Sequence, residues 1–374
     1  MTTPQLDRER LQQALALAEG AFGRTEPNPR VGCILGRQDG TVLGSGATQQ
    51  AGGPLAEVMA LRQAIQQGHD LRGATAWVTL EPCAHHGRTA PCCDALIEAH
   101  VGRVVVGALD PFPAVNGAGM HRLRAAGVAV EMADPDIAAA CRDANIGFFS
   151  RMERGRPWVR LKIAASLDGR TALPNGRSQW ITGPLALQDG HAWRRRASAV
   201  LTGIGTVLAD NPRLDVRLVP TDTQPMRVVV DSQWRTPPGA RLLSLPGLTV
   251  IFGAAAGSER MQALRGPGIE LVLAPGSNAQ VDLSALMGWL NARSVNELHV
   301  EAGARLNGAL LQAGLVDEVL VYLAPLLIGE GRPMVQCGPF DGLSQALRFK
   351  PVEFAQFGDD LRIRMLTLSA PASQ

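Results

Sequence analysis

The chain has 374 residues, of which 46% are hydrophobic and 19% charged, and a formal charge of +2; the expectation is a soluble protein of two domains, each able to bury its own core. Near-neutral charge and an aromatic content of 4% argue against nucleic-acid and membrane-surface binding, and no apolar run is long enough to cross a bilayer. Six scattered cysteines in a chain this long do not make a disulfide framework, and they fit a reducing cytoplasm.

The start, Met1-Thr2-Thr3-Pro4-Gln5, lacks the basic-then-apolar pattern of a signal peptide. Leu11, Ala14, Leu15 and Ala18 then form one helical face. Residues 31–36 and 41–44 read as strands joined at Asp39-Gly40, a pair suited to a tight hairpin. A helix over 55–67 stops at Gly68. Strand 74–80 runs into Glu81-Pro82-Cys83, a helix follows Cys92, and strand 103–107 comes next. A helix near 120–126 precedes a short strand at 128–131.

A helix near 135–149 ends in Arg151-Met152-Glu153-Arg154-Gly155-Arg156-Pro157. The charge, Gly and Pro of that stretch mark a domain boundary, giving domains over 1–150 and 158–370. The second alternates again, with strands at 158–164, 199–202, 227–231, 248–252 and 298–301, a helix over 304–313, and strands at 319–323 and 361–366. Such alternation predicts an α/β fold with crossover connections and sheets covered on both faces. The tail, 369–374, is expected to fray.

The chemistry of the first half centres on Cys83 and Cys92. Cys83 follows a strand end, and Pro91-Cys92 opens a helix, where the dipole favours the thiolate, the metal-binding form. Glu57, in the first turn of an earlier helix, completes the layout of a zinc-dependent base deaminase, in which a glutamate shuttles the proton. Cysteines are among the most buried residue types, but with Glu57 and His85-His86 completing the pattern the metal reading of Cys83 and Cys92 outweighs a core one; Glu57 taken alone reads as a complement to the helix dipole. Such a site takes a third protein ligand two residues before the Glu, and that position is Leu55. His85, His86 and Arg88, in the loop between the thiols, are candidates for contacts with a substrate phosphate or ribose or are ordinary solvent-facing loop residues, and His85 or His86 is a candidate for a substitute ligand if the loop folds back. Cys93 reads as core.

Ordered motifs in both halves carry a resemblance. They are Pro27-Asn28-Pro29-x-Val31-Gly32-Cys33, Ala56-Glu57, Thr79-Leu80-Glu81-Pro82-Cys83-Ala84-His85-His86-Gly87-Arg88-Thr89 and Pro91-Cys92, then Lys162-x-Ala164-Ala165-Ser166-Leu167-Asp168-Gly169-Arg170-Thr171, Ser178-x-Trp180-Ile181-Thr182, Thr206-Val207-Leu208-Ala209-Asp210 and Glu301-Ala302-Gly303. Over nearly its whole length the chain resembles the bifunctional riboflavin-biosynthesis deaminase/reductases. The resemblance implies a cytidine-deaminase-like three-layer domain followed by a dihydrofolate-reductase-like α/β domain. It implies deamination of a diaminopyrimidinone ribosylamine phosphate, then NADPH reduction of the ribosyl to a ribityl chain, with zinc in the first domain. The family carries Pro-His-Ala-Glu where this chain has Pro54-Leu55-Ala56-Glu57, and a His where it has Thr48. Phe112 stands where relatives often have Asn.

For the second half the resemblance implies NADPH contacts at Ala164, Trp180, Thr206, Asp210, Ser232 and the run Gly303, Ala304, Arg305, Leu306, Asn307, Gly308 and Ala309. It implies substrate contacts at Ser178, Arg194, Leu214, Arg217 and Glu301, the arginines suiting a phosphate because a guanidinium fork matches its oxygens. Helix-start N–H groups at the Gly303 turn suit a phosphate too, although a plain strand–helix turn has the same look. Lys162 and Asp210 are both candidates for the proton donor. The leading expectation is a homo-oligomeric riboflavin-pathway enzyme acting on a phosphorylated pyrimidine, with an intact reductase and a deaminase weakened by Leu55. Two alternatives stay open: both activities survive with another ligand, or the first domain is a non-catalytic assembly module.

Overall fold

The computed structural model describes residues 2–84, 91–112, 115–257 and 259–368. The chain divides after Gly155 into two units. In the first, α1 (Thr3–Glu19) has Pro4 in its opening turn, where a fixed φ is already helical, and buries Leu6, Leu11, Ala14 and Ala18. It lies so close to β1 (Gly32–Gly36) that a Cβ on Gly32 would sit 1.9 Å from the Ala14 carbonyl oxygen. β1 pairs antiparallel with β2 (Val42–Ala47) through a turn in which Asp39 Oδ1 accepts the Thr41 N–H at 2.8 Å.

α2 (Ala56–Gln66) packs over this hairpin. A Cβ on Gly46 would come within 2.4 Å of the Ala56 carbonyl oxygen, so the bare glycine lets the start of α2 press onto the sheet. β3 (Thr75–Val78) pairs antiparallel with β1. Crossovers through α3 (Cys92–Glu98) and α4 (Ala118–Ala125) then add β4 (Arg103–Val106) and β5 (Ala129–Met132) in parallel. The sheet order is β2-β1-β3-β4-β5. It is therefore mixed, with its hairpin half joined locally and its parallel half by helices.

The single helix expected over 135–149 is two, α5 (Pro135–Ala144) and α6 (Ile146–Arg154). Asn145 breaks them because its side chain is committed elsewhere: Oδ1 accepts the Arg30 N–H at 2.7 Å and Nδ2 donates to the Arg30 carbonyl at 2.8 Å. α6 carries the charged stretch to Arg154 and ends at Gly155, whose φ of 66° is the left-handed cap glycine favours.

The second unit runs β6 (Trp158–Ser166), β7 (Arg170–Ala172), α7 (Pro184–Arg196), β8 (Ala199–Gly203), α8 (Ile204–Asp210), β9 (Met226–Val230), β10 (Thr249–Gly253), α9 (Glu259–Ala263), β11 (Ile269–Leu273), α10 (Leu283–Ala292), β12 (Glu297–Val300), α11 (Ala304–Gln312), β13 (Glu318–Ala324), β14 (Arg332–Pro333), β15 (Phe349–Phe357) and β16 (Asp360–Thr367). The main sheet has the order β11-β10-β9-β8-β12-β6-β13-β16-β15, parallel from β11 to β13 and antiparallel thereafter. Successive strands step outward from β6 to β11, and β12 then returns to lie between β8 and β6. A return of this kind opens a crevice at the carboxyl ends of the strands. Near the other end of the sheet, fully buried Arg160 is clamped between Glu297 at 2.9 Å and Glu318 at 3.0 Å, on the two neighbouring strands. β15 was not among the expected strands; it is a largely exposed edge strand whose pairing slips between Pro351 and Glu353, so its sequence lacks a buried face.

Candidate functional site

In the first unit the start of α2 brings Glu57 beside the two cysteines. Glu57 is 3% exposed. Burial pushes its carboxyl up to about 7, against the pull of its own N–H and of the Cys92 thiol. Cys92 opens α3, and its N–H donates to Cys83 Sγ at 3.2 Å, closing the loop between them. The Cys92 thiol's bond to Cys83 lowers the Cys83 pKa, although burial opposes it. Cys92 itself is shifted up by the same bond and by burial. Cys83, Cys92 and Glu57 thus form one contiguous group.

Leu55 is the N-cap of α2 and supplies no side-chain acceptor. The buried Thr48 hydroxyl is tied to the Val31 backbone, accepting its N–H at 3.3 Å. Two thiols are a donor set short of the three protein ligands of a catalytic zinc, and among the described residues no group of three His, Cys, Asp or Glu side chains is arranged to hold a metal. The described residues therefore do not fit the three-ligand site. His85, His86 and Arg88 lie outside the described residues. Glu81, at the end of the same strand, is fully engaged: its carboxylate accepts the N–H groups of Gly117 at 2.9 Å, Gly119 at 3.0 Å and Met120 at 3.2 Å, fixing the start of α4. Cys93 is buried, as a core cysteine would be.

In the second unit a cleft of about 1210 Å³ opens at the carboxyl ends of β8, β9 and β12. It is lined by Ala164, Trp180, Thr206, Asp210, Ser232, Gly303, Ala304, Arg305, Leu306 and Ala309, and by Ser178, Arg194, Leu214, Arg217 and Glu301. Asn307 and Gly308 do not line it. Asn307 turns inward and donates to the Met334 carbonyl at 2.9 Å, and a Cβ on Gly308 would meet the Gln336 carbonyl oxygen at 1.8 Å. Both hold the segment after β14 against α11. Lys162, Arg235, Arg241, Gln280 and Arg332 also line the cleft.

α11 starts at Gly303 without a side-chain cap, so its first N–H groups face the cleft free of a side-chain acceptor. A Cβ on Gly205 would have nothing within 4 Å, and the nearest atom to one on Gly303 would be Thr206 Oγ1 at 4.0 Å. This open, donor-lined floor fits a pyrophosphate. Toward the substrate side, Arg194 forms a two-pronged pair with Glu301, through Nε and through Nη2 at 2.8 Å, while its Nη1 donates to the Asp215 carbonyl at 2.9 Å. Burial alone would raise the Glu301 pKa; the Arg194 charge and bonds, with His299 and Lys162, hold it well below the usual range. Burial lowers the pKa of Lys162, against the pull of Glu301. Burial raises that of Asp210, opposed by the Ser178 hydroxyl at 3.3 Å and the charge of Arg332. His191 is pushed down to about 4 by burial and then by Arg194 and Arg217.

Two family models match the chain: the RibD C-terminal domain over residues 157–363, and the cytidine and deoxycytidylate deaminase zinc-binding region over 4–108. The riboflavin biosynthesis protein RibD of Escherichia coli strain K12 is 42% identical over 373 residues, covering 96% of this chain and 99% of that protein. That of Aquifex aeolicus is 37% identical over 359 residues, covering 96% and 98%. Among solved structures, Acinetobacter baumannii RibD superposes with a TM-score of 0.87 at 40% identity over 98% of this chain and 100% of that one. The Thermotoga maritima diaminohydroxyphosphoribosylaminopyrimidine deaminase/5-amino-6-(5-phosphoribosylamino)uracil reductase does so with a TM-score of 0.89 at 31% identity, with the same coverage.

Proposed function

This chain belongs to the RibD family of riboflavin biosynthesis proteins, and on that premise we propose which of its side chains serve the family's two reactions. It is a bifunctional enzyme with a deaminase domain followed by a reductase domain, and the cofactors of such an enzyme are zinc and NADPH. Its substrate is a small pyrimidine; we take it to be the phosphoribosylamino form named for the Thermotoga relative. A first domain that serves only for assembly gains no support over this reading.

The reductase assignment rests on one observation: a single cleft gathers every proposed cofactor and substrate position except Asn307 and Gly308. Bound there, the reduced nicotinamide supplies a hydride. The start of α11 would hold the pyrophosphate, and Ala164, Trp180, Thr206, Asp210 and Ser232 would flank the rest of the dinucleotide. Arg194 is committed to Glu301, so it orients that carboxylate toward ribose hydroxyls. Arg217, 41% exposed and sharing Asp215 with Arg213, is the freer cation for the substrate phosphate. Asp210, whose raised pKa keeps it protonated further toward neutrality, gives the proton, with Ser178 beside it.

In the first unit Glu57 moves the proton of the deamination, and Cys83 and Cys92 are the two thiol ligands. With Leu55 in the third position we place the zinc affinity below that of a three-ligand relative by more than the ~10–100-fold that a lost supporting hydrogen bond costs. The chain's place is the cytoplasm, where six free thiols persist, and its working form is a homo-oligomer, which light scattering of the purified chain would test. Among the described residues no helix is long and apolar enough to cross a membrane. The functional test pairs two assays on the full chain: NADPH oxidation with the deaminated pyrimidine, and ammonia release from its diamino precursor. NADPH oxidation far outpacing ammonia release supports the reading. No NADPH oxidation overturns it.

A further inference from the structure

His191 sits in α7, 4% exposed and three residues before Arg194. It does not line the cleft, yet it touches both arginines of the substrate side. Its Nδ1 accepts the Arg217 N–H at 3.1 Å, and its Nε2 lies 3.4 Å from Arg194 Nη1. A backbone N–H only donates, so Nδ1 carries no proton and the neutral ring keeps its hydrogen on Nε2. Arg194 Nη1 is a donor as well, so that second approach is a packing contact rather than a hydrogen bond. Burial, and then the charges of Arg194 and Arg217, push the ring down to about 4. It is therefore neutral near pH 7, and its Nδ1 stays an acceptor.

The segment that His191 holds carries a cation of the cleft. Leu214, Asp215 and Val216 are buried, and Arg217 emerges from them into the cleft. Each of the last three residues is tied by its backbone. The Asp215 carbonyl takes Arg194 Nη1 at 2.9 Å. Gln224 accepts the Val216 N–H at 2.7 Å and donates to the Val216 carbonyl at 2.9 Å. The Arg217 N–H goes to His191, while its guanidinium meets Asp215 Oδ1 at 2.8 Å. His191 is thus the anchor that acts on the backbone of Arg217 itself. A side chain this long carries any shift of its backbone out to the guanidinium, and a misplaced positioning group is costly to an enzyme.

We propose that His191 is a positioning residue of the reductase: by accepting the Arg217 N–H it fixes the guanidinium that takes the substrate phosphate. The inference rests on the reductase reading of the second unit and on Arg217 as its phosphate contact. The test follows NADPH oxidation by the full chain on the deaminated pyrimidine, with and without its phosphate. Three variants are compared: His191→Leu removes the acceptor, His191→Gln moves it out to where Nε2 stands, and His191→Asn can place a carbonyl oxygen where Nδ1 stands. The Leu and Gln variants should raise KM for the phosphorylated substrate roughly 3–10-fold, the scale of one hydrogen bond, and His191→Asn should recover most of that loss. Their kcat and their KM for NADPH should barely move, which also shows that the variants are folded. KM for the phosphate-free substrate should stay where it is. In an Arg217→Gln background His191→Leu should add nothing, because its effect runs through Arg217. An unmoved KM in the Leu and Gln variants, a loss that His191→Asn shares in full, an equal loss without the phosphate, or additive losses in the double variant overturns this inference alone. Arg217→Gln with an unchanged KM for the phosphorylated substrate overturns the phosphate reading of Arg217 and this inference with it. A wild type that oxidises no NADPH overturns the reductase reading as well.

Discussion

Replacing Glu301 by Gln keeps the shape of the side chain and removes the charge that Arg194 is built around. The two side chains are 16% and 14% exposed, so the pair is largely shielded from water. Breaking a buried pair by removing one partner costs about 3–5 kcal/mol, because the remaining charge is stranded. Arg194 keeps its bond to the Asp215 carbonyl, and the pair keeps some solvent, so the low end of that range, about 3 kcal/mol, is expected. For a unit of this size each kcal/mol moves Tm by roughly 2–4 °C, which gives a drop of roughly 6–12 °C in the reductase transition of the full chain at pH 7. The pH dependence follows from the lowered pKa of Glu301. A depressed carboxyl contributes stability that is complete above its unfolded pKa and is lost as pH falls through the folded one. The gap between wild type and Glu301→Gln should therefore be flat from pH 6 to 8, on the order of the values just given, and close only in acid, below the ordinary carboxylate range. Calorimetry across pH reads it directly, and an Arg194→Gln/Glu301→Gln cycle isolates the pair. A variant that melts within about 1 °C of the wild type at pH 7, or a gap that widens in acid, refutes the reasoning.

Gly308→Ala should destabilise the reductase unit by about 3 kcal/mol, because its Cβ would meet the Gln336 carbonyl oxygen at 1.8 Å; a melting curve matching the wild type would show that α11 and the segment after β14 part easily. If Asp210 gives the proton, reductase turnover should fall as pH rises through its pKa, and Arg332→Gln, which removes a cation that lowers that pKa, should move the alkaline limb upward. A limb that stays in place, or moves down, points to another donor such as Lys162.

The architecture was legible where a buried face or a motif marked it. Apolar runs such as Val104-Val105-Val106 and Val228-Val229-Val230 lie in strands buried on both sides, and unbroken hydrophobicity is how such strands read. β15 escaped because an exposed edge strand has no buried face, and the break at Asn145 because its partner, Arg30, lies far away in sequence. The family resemblance placed both domain types, which the family models and the solved relatives bear out. At the site, Glu57, Cys83 and Cys92 could be found from their place at a strand end and at helix starts, and the Leu55 departure from its position two residues before Glu57; the structure brings the first three together. The commitment of Arg194 to Glu301 and the inward turn of Asn307 could not, since both depend on contacts across the fold.

The most direct test of the account is the zinc content of the purified full chain beside that of Leu55→His. The account predicts well under one zinc per chain in the wild type. In the variant it predicts about one per chain, set by the restored third ligand, with ammonia release rising in parallel. A wild type that already holds one zinc per chain, unchanged by the substitution, would contradict it.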